Sequence, residues 1–406
     1  MVVSWDGTPE WTAMVGVEDK MNTVYNYHEA TKHRLQRYAR SLGYMDWATQ
    51  PDPFLRFPTA PASALPAPAG QPDPTWDQVI ADDLPAAPVT AATVSRLFWT
   101  SLALSAWKQV TGPDGRVVSR WSLRVNPSSG NLHPTEAWLV CGALPGLADE
   151  PALYHYRADT HALEHCGRIE AGAWEAAAGP DRLLLGLSSV MWREAWKYGE
   201  RAYRYANHDL GHALAAVELA AAALGWRVRM RDDLRGSTVG ALLGCDGRPG
   251  PEHDHPDTLL EIMTGPQTSK DEVGVPIADL VATVRDRAGQ PAPLSPSHHP
   301  WEAIAAVNAA TAWPGTAWPA RPVHPPARSS GTSPLPFMKL VRERRSAVAM
   351  DGRTGLTAPA LYDLLSGLMP DRTPRPFALL PWPPAVSLVL FAHRIDGLEA
   401  GLYLLV

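Results

Sequence analysis

The sequence predicts an α+β fold in which a mixed sheet is flanked by helices. Three observations predict it. Short apolar runs of strand character lie between residues 137 and 263. A stretch of helical periodicity spans 193–224. Helices and strands follow one another without the regular alternation of a doubly wound sheet. With 406 residues, 45% of them hydrophobic and 19% charged, the chain can bury a core, and at roughly 150 residues per domain it holds two to three domains.

The elements follow in order. Residues 25–42 are rich in charge and read as a helix stopped by Gly43. Residues 51–88 are rich in proline and alanine, which predicts an extended wrap or linker because proline fixes φ and removes a donor. Residues 90–108 resume helical spacing through Val94, Leu97, Phe98, Leu102 and Leu104, and Pro113-Asp114-Gly115 marks a turn. Strands are expected at 137–143 and 183–188, with a hairpin from 153–156 to 162–166. Leu210, Leu214, Val217, Ala221 and Leu224 recur on one face of a helix that Gly225 ends. Residues 226–230 and 259–263 read as strands. Prolines crowd 289–336, with a short helix at 301–310 inside. Helices at 337–346 and 361–368 and strands at 386–391 and 402–406 follow, the last running to Val406 as if a second unit were cut short. The expected division is a first domain over 1–288, a linker over 289–336 and a partial second domain over 337–406.

Composition narrows the function. Forty-two acidic residues against 36 basic ones give a net charge of −6, so there is no global basic field for nucleic acid. No apolar run reaches the ~20 residues that span a membrane. Three scattered cysteines, Cys141, Cys166 and Cys245, do not form a disulfide scaffold. The opening Met1-Val2-Val3-Ser4-Trp5-Asp6 lacks the parts of a secretion signal, so a cytoplasmic location is expected. No Gly-x-Gly-x-x-Gly follows a strand, which argues against a Rossmann nucleotide site.

Arg124-Val125-Asn126-Pro127-Ser128-Ser129-Gly130-Asn131-Leu132-His133-Pro134-Thr135-Glu136 is the most informative stretch. Two hydroxyls, a glycine and an amide can bring donors close to a flat polar ligand, and N–H groups at a following helix start would favour an anion. The same residues also serve as an ordinary cap before a helix. Lys197 and Tyr198 offer a base and a proton donor; Lys197, Arg201 and Arg204 share a face that equally suits a solvated helix. His208 and His212 stand at i and i+4, as in a zinc helix, although Asp209 replaces the usual glutamate. Gly211 lets that helix approach something flat.

Pro127-Ser128-Ser129-Gly130-Asn131-Leu132-His133-Pro134 resembles the Pro-Ser-x-x-Asn-x-Gln-Pro loop of the FMN-dependent nitroreductase superfamily. The stretch 189–205, with Trp196-Lys197-Tyr198-Gly199-Glu200-Arg201, and the following Asp209-Leu210-Gly211-His212 resemble its SagB-type branch, which includes peptide azoline oxidases. The resemblance covers about residues 20–265 and, more weakly, 337–406. It implies a nitroreductase-like fold in which the loop meets the flavin ring and ribityl chain, carrying that role to Pro127, Ser128, Ser129, Asn131 and His133, the last standing where the family usually has glutamine. It implies that Lys197 and Tyr198 assist proton removal beside the flavin. Arg344-Arg345-Ser346 matches the family's Arg-x-Ser element for the FMN phosphate, although the arginines also fit a solvated helix face. At the equivalent point of the first unit stand Thr31-Lys32-His33. The second unit carries Leu380-Pro381-Trp382-Pro383-Pro384 where the first has its loop. A single FMN shared by the two units of an intramolecular pseudo-dimer would use both motifs.

The leading expectation is an FMN-dependent oxidoreductase, with NAD(P)H or an oxidisable substrate as reductant and a small molecule or peptide as substrate. A chain ending at about Gly289 is expected to fold and to bind FMN poorly. A flavin-free protein of the same fold that binds a partner or peptide, and a zinc hydrolase using His208 and His212, are the alternatives. Association of whole chains into a homo-oligomer stays open.

Overall fold

A computed structural model describes residues 10–68, 70, 72–245, 250–266, 274–319, 333–369 and 375–405, with side chains from residue 18 onward. The opening residues Met1 to Asp6, the linker prolines Pro322, Pro325 and Pro326, and Val406 lie outside the described residues. The chain begins with α1 (Glu10–Thr31), β1 (Ala62–Ala64), α2 (Trp76–Ala81) and α3 (Ala91–Trp99). A hairpin of β2 (Leu104–Thr111) and β3 (Val117–Arg124) precedes β4 (Thr135–Cys141), β5 (Ala152–Arg157), β6 (Ala162–Arg168), α4 (Ala171–Ala177) and β7 (Arg182–Val190). Then come α5 (Met191–Tyr198), α6 (Ala202–Ala222), β8 (Arg227–Met230), α7 (Gly236–Leu243), β9 (Asp254–Met263), α8 (Ile277–Thr283) and α9 (Glu302–Ala310). The chain closes with α10 (Phe337–Glu343), β10 (Leu356–Thr357), α11 (Ala358–Ser366), β11 (Leu388–Ala392), β12 (Ile395–Asp396) and β13 (Gly401–Leu405).

The main sheet has the order β1-β6-β5-β4-β7-β9-β8, and each of its pairings is antiparallel. Alternation along its central strands serves two cores. Ala137, Leu139 and Cys141 of β4 and Leu183, Leu185 and Leu187 of β7 join α3 and α6 on one face. Trp138, Val140 and Leu184 point to the other, against α4, α5, α7 and α8. Because side chains alternate with period two and both faces are covered, these strands read as continuous apolar runs. The face Leu210, Leu214, Val217, Ala221, Leu224 packs into the first core as its spacing predicts.

Three expected helices change. The first runs over Glu10–Thr31, and the charged stretch from residue 32 to 46 is irregular and mostly exposed. Residues 104–108 belong to β2, whose outer half is exposed, so they present no buried face that would show a period. The helix expected over 193–224 breaks at Gly199, where φ is +55° and ψ −135°. That conformation is open to glycine and strained for other residues, and a β-carbon there would run into the backbone of Arg40 and Ser41. A 3-10 turn at Gly199–Arg201 joins α5 to α6.

The proline-rich segments are packed onto the sheet. The Asp52 N–H donates to Leu294 O at 2.9 Å, and Glu252 accepts from Leu294 and Ser295 N–H. Phe337 is fully buried beside Val79 and Ala222 and stacks on Trp76 at 6.2 Å. Arg375 is buried against Glu218 of α6 and Asp82, and Leu379 enters the first core. A chain ending near Gly289 would lose Phe337 from over Val79 and Arg375 from beside Glu218. Beyond this anchored region, β11 and β13 form a separate hairpin.

Candidate functional site

Residues 127–133 turn sharply. Gly130, Asn131 and His133 take φ of +57°, +62° and +53°. Left-handed conformations cost non-glycine residues of order 1 kcal/mol each and persist only where surroundings impose them. The imposing groups are identifiable. Asp209 of α6, almost fully buried, accepts from Ser129 N–H at 2.9 Å and from Ser129 Oγ at 3.0 Å. Ser128 Oγ accepts the His133 N–H at 2.8 Å, and Ser128 O accepts the Asn131 N–H at 3.1 Å. Asn131 Nδ2 donates to Ser122 O of β3, and the buried His133 ring lies 3.3 Å from the same oxygen through Nε2. The strand β4 follows at once, with one 3-10 turn at Ser129–Asn131 and no helix between. The N–H groups of Ser129, Asn131, Leu132 and His133 are spent on holding the turn; an anion at a following helix start is thus not what this loop offers.

What it offers is a flat step under two polar side chains. A β-carbon on Gly130 would lie 2.5 Å from Tyr198 Oη, 3.1 Å from Lys197 Nζ and 3.2 Å from Lys197 Cδ. With φ at +57° and those side-chain ends so near, glycine leaves Lys197 and Tyr198 undisturbed beside the loop. Neither Lys197 nor Tyr198 has a hydrogen bond or ion pair among the described residues, and both are half-buried. Burial first, then the Glu194 carboxyl, pushes the Tyr198 phenol up to about 12, so it remains a proton donor at neutral pH.

Below them is a pair of acids. Glu194 precedes Lys197 and Tyr198 by three and four residues, hence on their face of α5. It is fully buried, and neither carboxyl oxygen has a hydrogen-bond partner within 3.5 Å among the described residues. Burial and then the facing Asp209 raise it well above the usual carboxylate range. Asp209 is raised by burial too, but the Ser128 and Ser129 donors counter this. Two acids in one dry place cannot both ionise cheaply, and Glu194 keeps the proton.

A ladder of buried charges fixes the far end of the loop. Arg193, fully buried, donates to His133 O at 2.7 Å and to Asp52 O at 3.0 Å, and pairs with Glu136 of β4. Glu136 meets His155 Nε2 at 3.1 Å, and His155 Nδ1 meets Glu164 at 2.9 Å. Glu164 in turn pairs with Arg157 at 2.9 Å.

No family model matches the chain, and no curated protein matches it. Among solved structures, the crystal structure of a candidate nitroreductase from Anabaena variabilis overlays with a TM-score of 0.62 at 22% identity, over 94% of this chain and 76% of that one. The chain has a nitroreductase-like fold. A second candidate nitroreductase, from Ralstonia eutropha, overlays at a TM-score of 0.37 and 14% identity, covering 55% of this chain and 97% of that one. The Escherichia coli microcin synthetase McbBCD complex with truncated pro-MccB17 bound does so at 0.32 and 16%, over 66% of this chain and 85% of that one. Overlays that low describe shared pieces rather than a shared architecture.

On this nitroreductase-like fold, Lys197 and Tyr198 stand beside the loop of Pro127, Ser128, Ser129 and Asn131, although 66 residues separate Lys197 from Asn131 in the chain. Arg344, Arg345 and Ser346 fall just past α10 in exposed chain, not on a helix, and no hydrogen bond joins them to the loop among the described residues. Arg345 Nη1 donates to Arg342 O at 2.6 Å and Arg344 O at 2.7 Å. Their neighbour Arg342 stacks on Trp99 and donates to Leu104 O at 3.0 Å. Leu104 pairs with Arg124 of β3, two residues from Ser122, the anchor of Asn131; at 3.3 Å per residue that is about 7 Å along the strand. His33 lies near Arg201 and Arg204, which bind Thr31, while Lys32 pairs with Glu29 at 3.2 Å. His208 and His212 are exposed, and no group of three or more His, Cys, Asp or Glu side chains among the described residues is placed to hold a metal. No described helix is long and apolar enough to cross a membrane.

Glu194, Asp209 and Arg193 were not singled out from the sequence as site residues. The i, i+3, i+4 spacing of Glu194, Lys197 and Tyr198 was a usable signal. Asp209 stands in the Asp209-Leu210-Gly211-His212 motif, but its contact with Ser129, 80 residues away, has no sign in the sequence.

Proposed function

We propose that the chain is an FMN-dependent oxidoreductase of the SagB-like type, acting on a small molecule or peptide, with NAD(P)H or an oxidisable substrate as reductant. The observation that carries this reading is the meeting of Lys197 Nζ and Tyr198 Oη, neither with a hydrogen-bond partner among the described residues, over the bare backbone of Gly130. Two unspent donors above a glycine step suit the flat, acceptor-rich edge of an isoalloxazine. When bound, FMN supplies the electron chemistry. The chain's residues do the rest. The loop of Pro127 to His133 positions the ring edge, Tyr198 donates a hydrogen bond, and Lys197 takes or returns a substrate proton. Glu194 and Asp209 hold one proton beneath them.

In this proposal the phosphate is held by Arg344, Arg345 and Ser346, so that residues 337–406 act as the second half of a pseudo-dimer after the 289–336 linker. Arginine's planar fork suits phosphate oxygens. The support is that Arg342 and Asn131 are tied to neighbouring points of one hairpin. The closeness of His33 to Arg201 and Arg204, with Lys32 next to it in the chain, favours a second reading, with the phosphate at the end of α1. Titration of FMN into purified protein separates the two. Arg345→Ala is expected to weaken binding at least tenfold and to reduce its salt dependence, while Lys32→Ala leaves it unchanged. The reverse pattern places the phosphate at α1.

Asn131→Ala is expected to weaken FMN by about 1–3 kcal/mol, because Ser122 O loses its donor and the left-handed turn loses an anchor. An unchanged dissociation constant would reject the loop as the ring site.

A further inference from the structure

A cavity lies along α6. It has a volume of about 550 Å³, within the size range of small-molecule sites. Tyr203, Asn207, Asp257, Asn308, Trp313 and Trp382 are among its walls, so α6, β9, α9 and the 380–382 segment all contribute. Gly211, in the middle of α6, opens onto it. A glycine there weakens the helix, and among the described residues no atom beyond its chain neighbours and its own helix backbone lies within 4 Å of where its β-carbon would stand. The sequence reads Gly211 as a place for close approach, yet no described residue from elsewhere in the chain makes that approach.

The charge of the cavity selects its occupant. Asp257 accepts from Ser189 Oγ at 2.6 Å and has no cationic partner among the described residues. Its neighbour His255 is held neutral by burial and is bonded to Asn308. Arg231, the cavity's one arginine among the described residues, is taken by Asp233 at 2.7 Å and Glu261 at 3.2 Å. Burial pushes the Asp257 carboxyl up to about 7, so a cation set against it favours its charged form, and ring faces attract the same cation.

We propose that this cavity binds a flat aromatic amine, its ring set against Gly211 and its ammonium on the Asp257 carboxylate. The site is separate from the loop of Pro127 to His133 and does not depend on the flavin reading.

Tryptamine, and indole-3-propionate as its acidic counterpart, test this by calorimetric titration of the full chain. Tryptamine is expected to bind at one site, at least tenfold tighter than the acid. Asp257→Asn should weaken it at least tenfold. Gly211→Leu fills open space on a helix that gains propensity, so the variant should unfold as cooperatively as the parent, take up FMN as the parent does, and fail to bind tryptamine. Absence of tryptamine binding, equal affinity for the acid, or undiminished binding by Gly211→Leu would overturn the proposal. Loss of FMN uptake together with tryptamine in Gly211→Leu would also overturn it, since the cavity would then belong to the flavin site.

Discussion

Arg193→Met is expected to destabilise the protein by about 3–5 kcal/mol, the usual result of removing one partner of a buried ion pair. Glu136 would remain in the core, 3% exposed, with its principal cation gone. Asp52 O and His133 O would lose their donor too. Burial pushes the Glu136 carboxyl up, but Arg193 and then His155 overrule it and hold it at about 2. Because the folded value lies below the ordinary 4.5, this stabilisation is complete above about pH 4.5 and lost as pH falls towards 2. His155 has the opposite sign. Burial lowers it, but Glu136 and Glu164 raise it above 6.5, so its contribution is complete below that value and lost as pH rises through the folded one. In Arg193→Met the acid limb should move to higher pH. Urea unfolding at pH 7 and an acid titration followed by circular dichroism measure both effects. A loss under about 1 kcal/mol would show that the ladder contributes little.

Gly130→Ala is expected to reduce FMN affinity more than tenfold, because the new methyl meets Tyr198 Oη at 2.5 Å and Lys197 Nζ at 3.1 Å. Two effects combine here: the left-handed φ of +57° disfavours alanine by about 1 kcal/mol, and the two donors are pushed off the step. The double variant Gly130→Ala, Tyr198→Phe separates them. Removing Oη relieves the nearest contact but not the backbone strain, so the thermal stability lost in the single variant should return in part. If the double variant is no more stable than Gly130→Ala alone, the contact with Tyr198 is not what makes glycine necessary.

The parts of this fold that were legible in the sequence are those buried on two sides. The strands β4, β7 and β9 read as apolar runs because each is covered on both faces, and α6 showed its period because its apolar face meets a flat sheet. The β2–β3 hairpin gives no such signal, since most of its residues are exposed; residues 104–108 carry no pattern that sets them apart from the helix before them. The break at Gly199 was hidden because its cause is the backbone of Arg40 and Ser41, distant in sequence. The site divides similarly. The loop and the Lys197-Tyr198 pair stood out through their resemblance to a family. The reason they belong together, a glycine step and a buried acid pair, depends on side chains that meet only in the folded chain.

The account's central claim is that the loop of Pro127 to His133 and the Lys197-Tyr198 pair form a flavin site. The direct measurement is FMN titration of the flavin-stripped full chain, followed by absorption and by mass analysis of the extracted cofactor. Uptake of one FMN per chain, with FAD excluded and with binding weakened by Asn131→Ala, is the predicted result. Failure to take up FMN, or recovery of FAD alone, would contradict it.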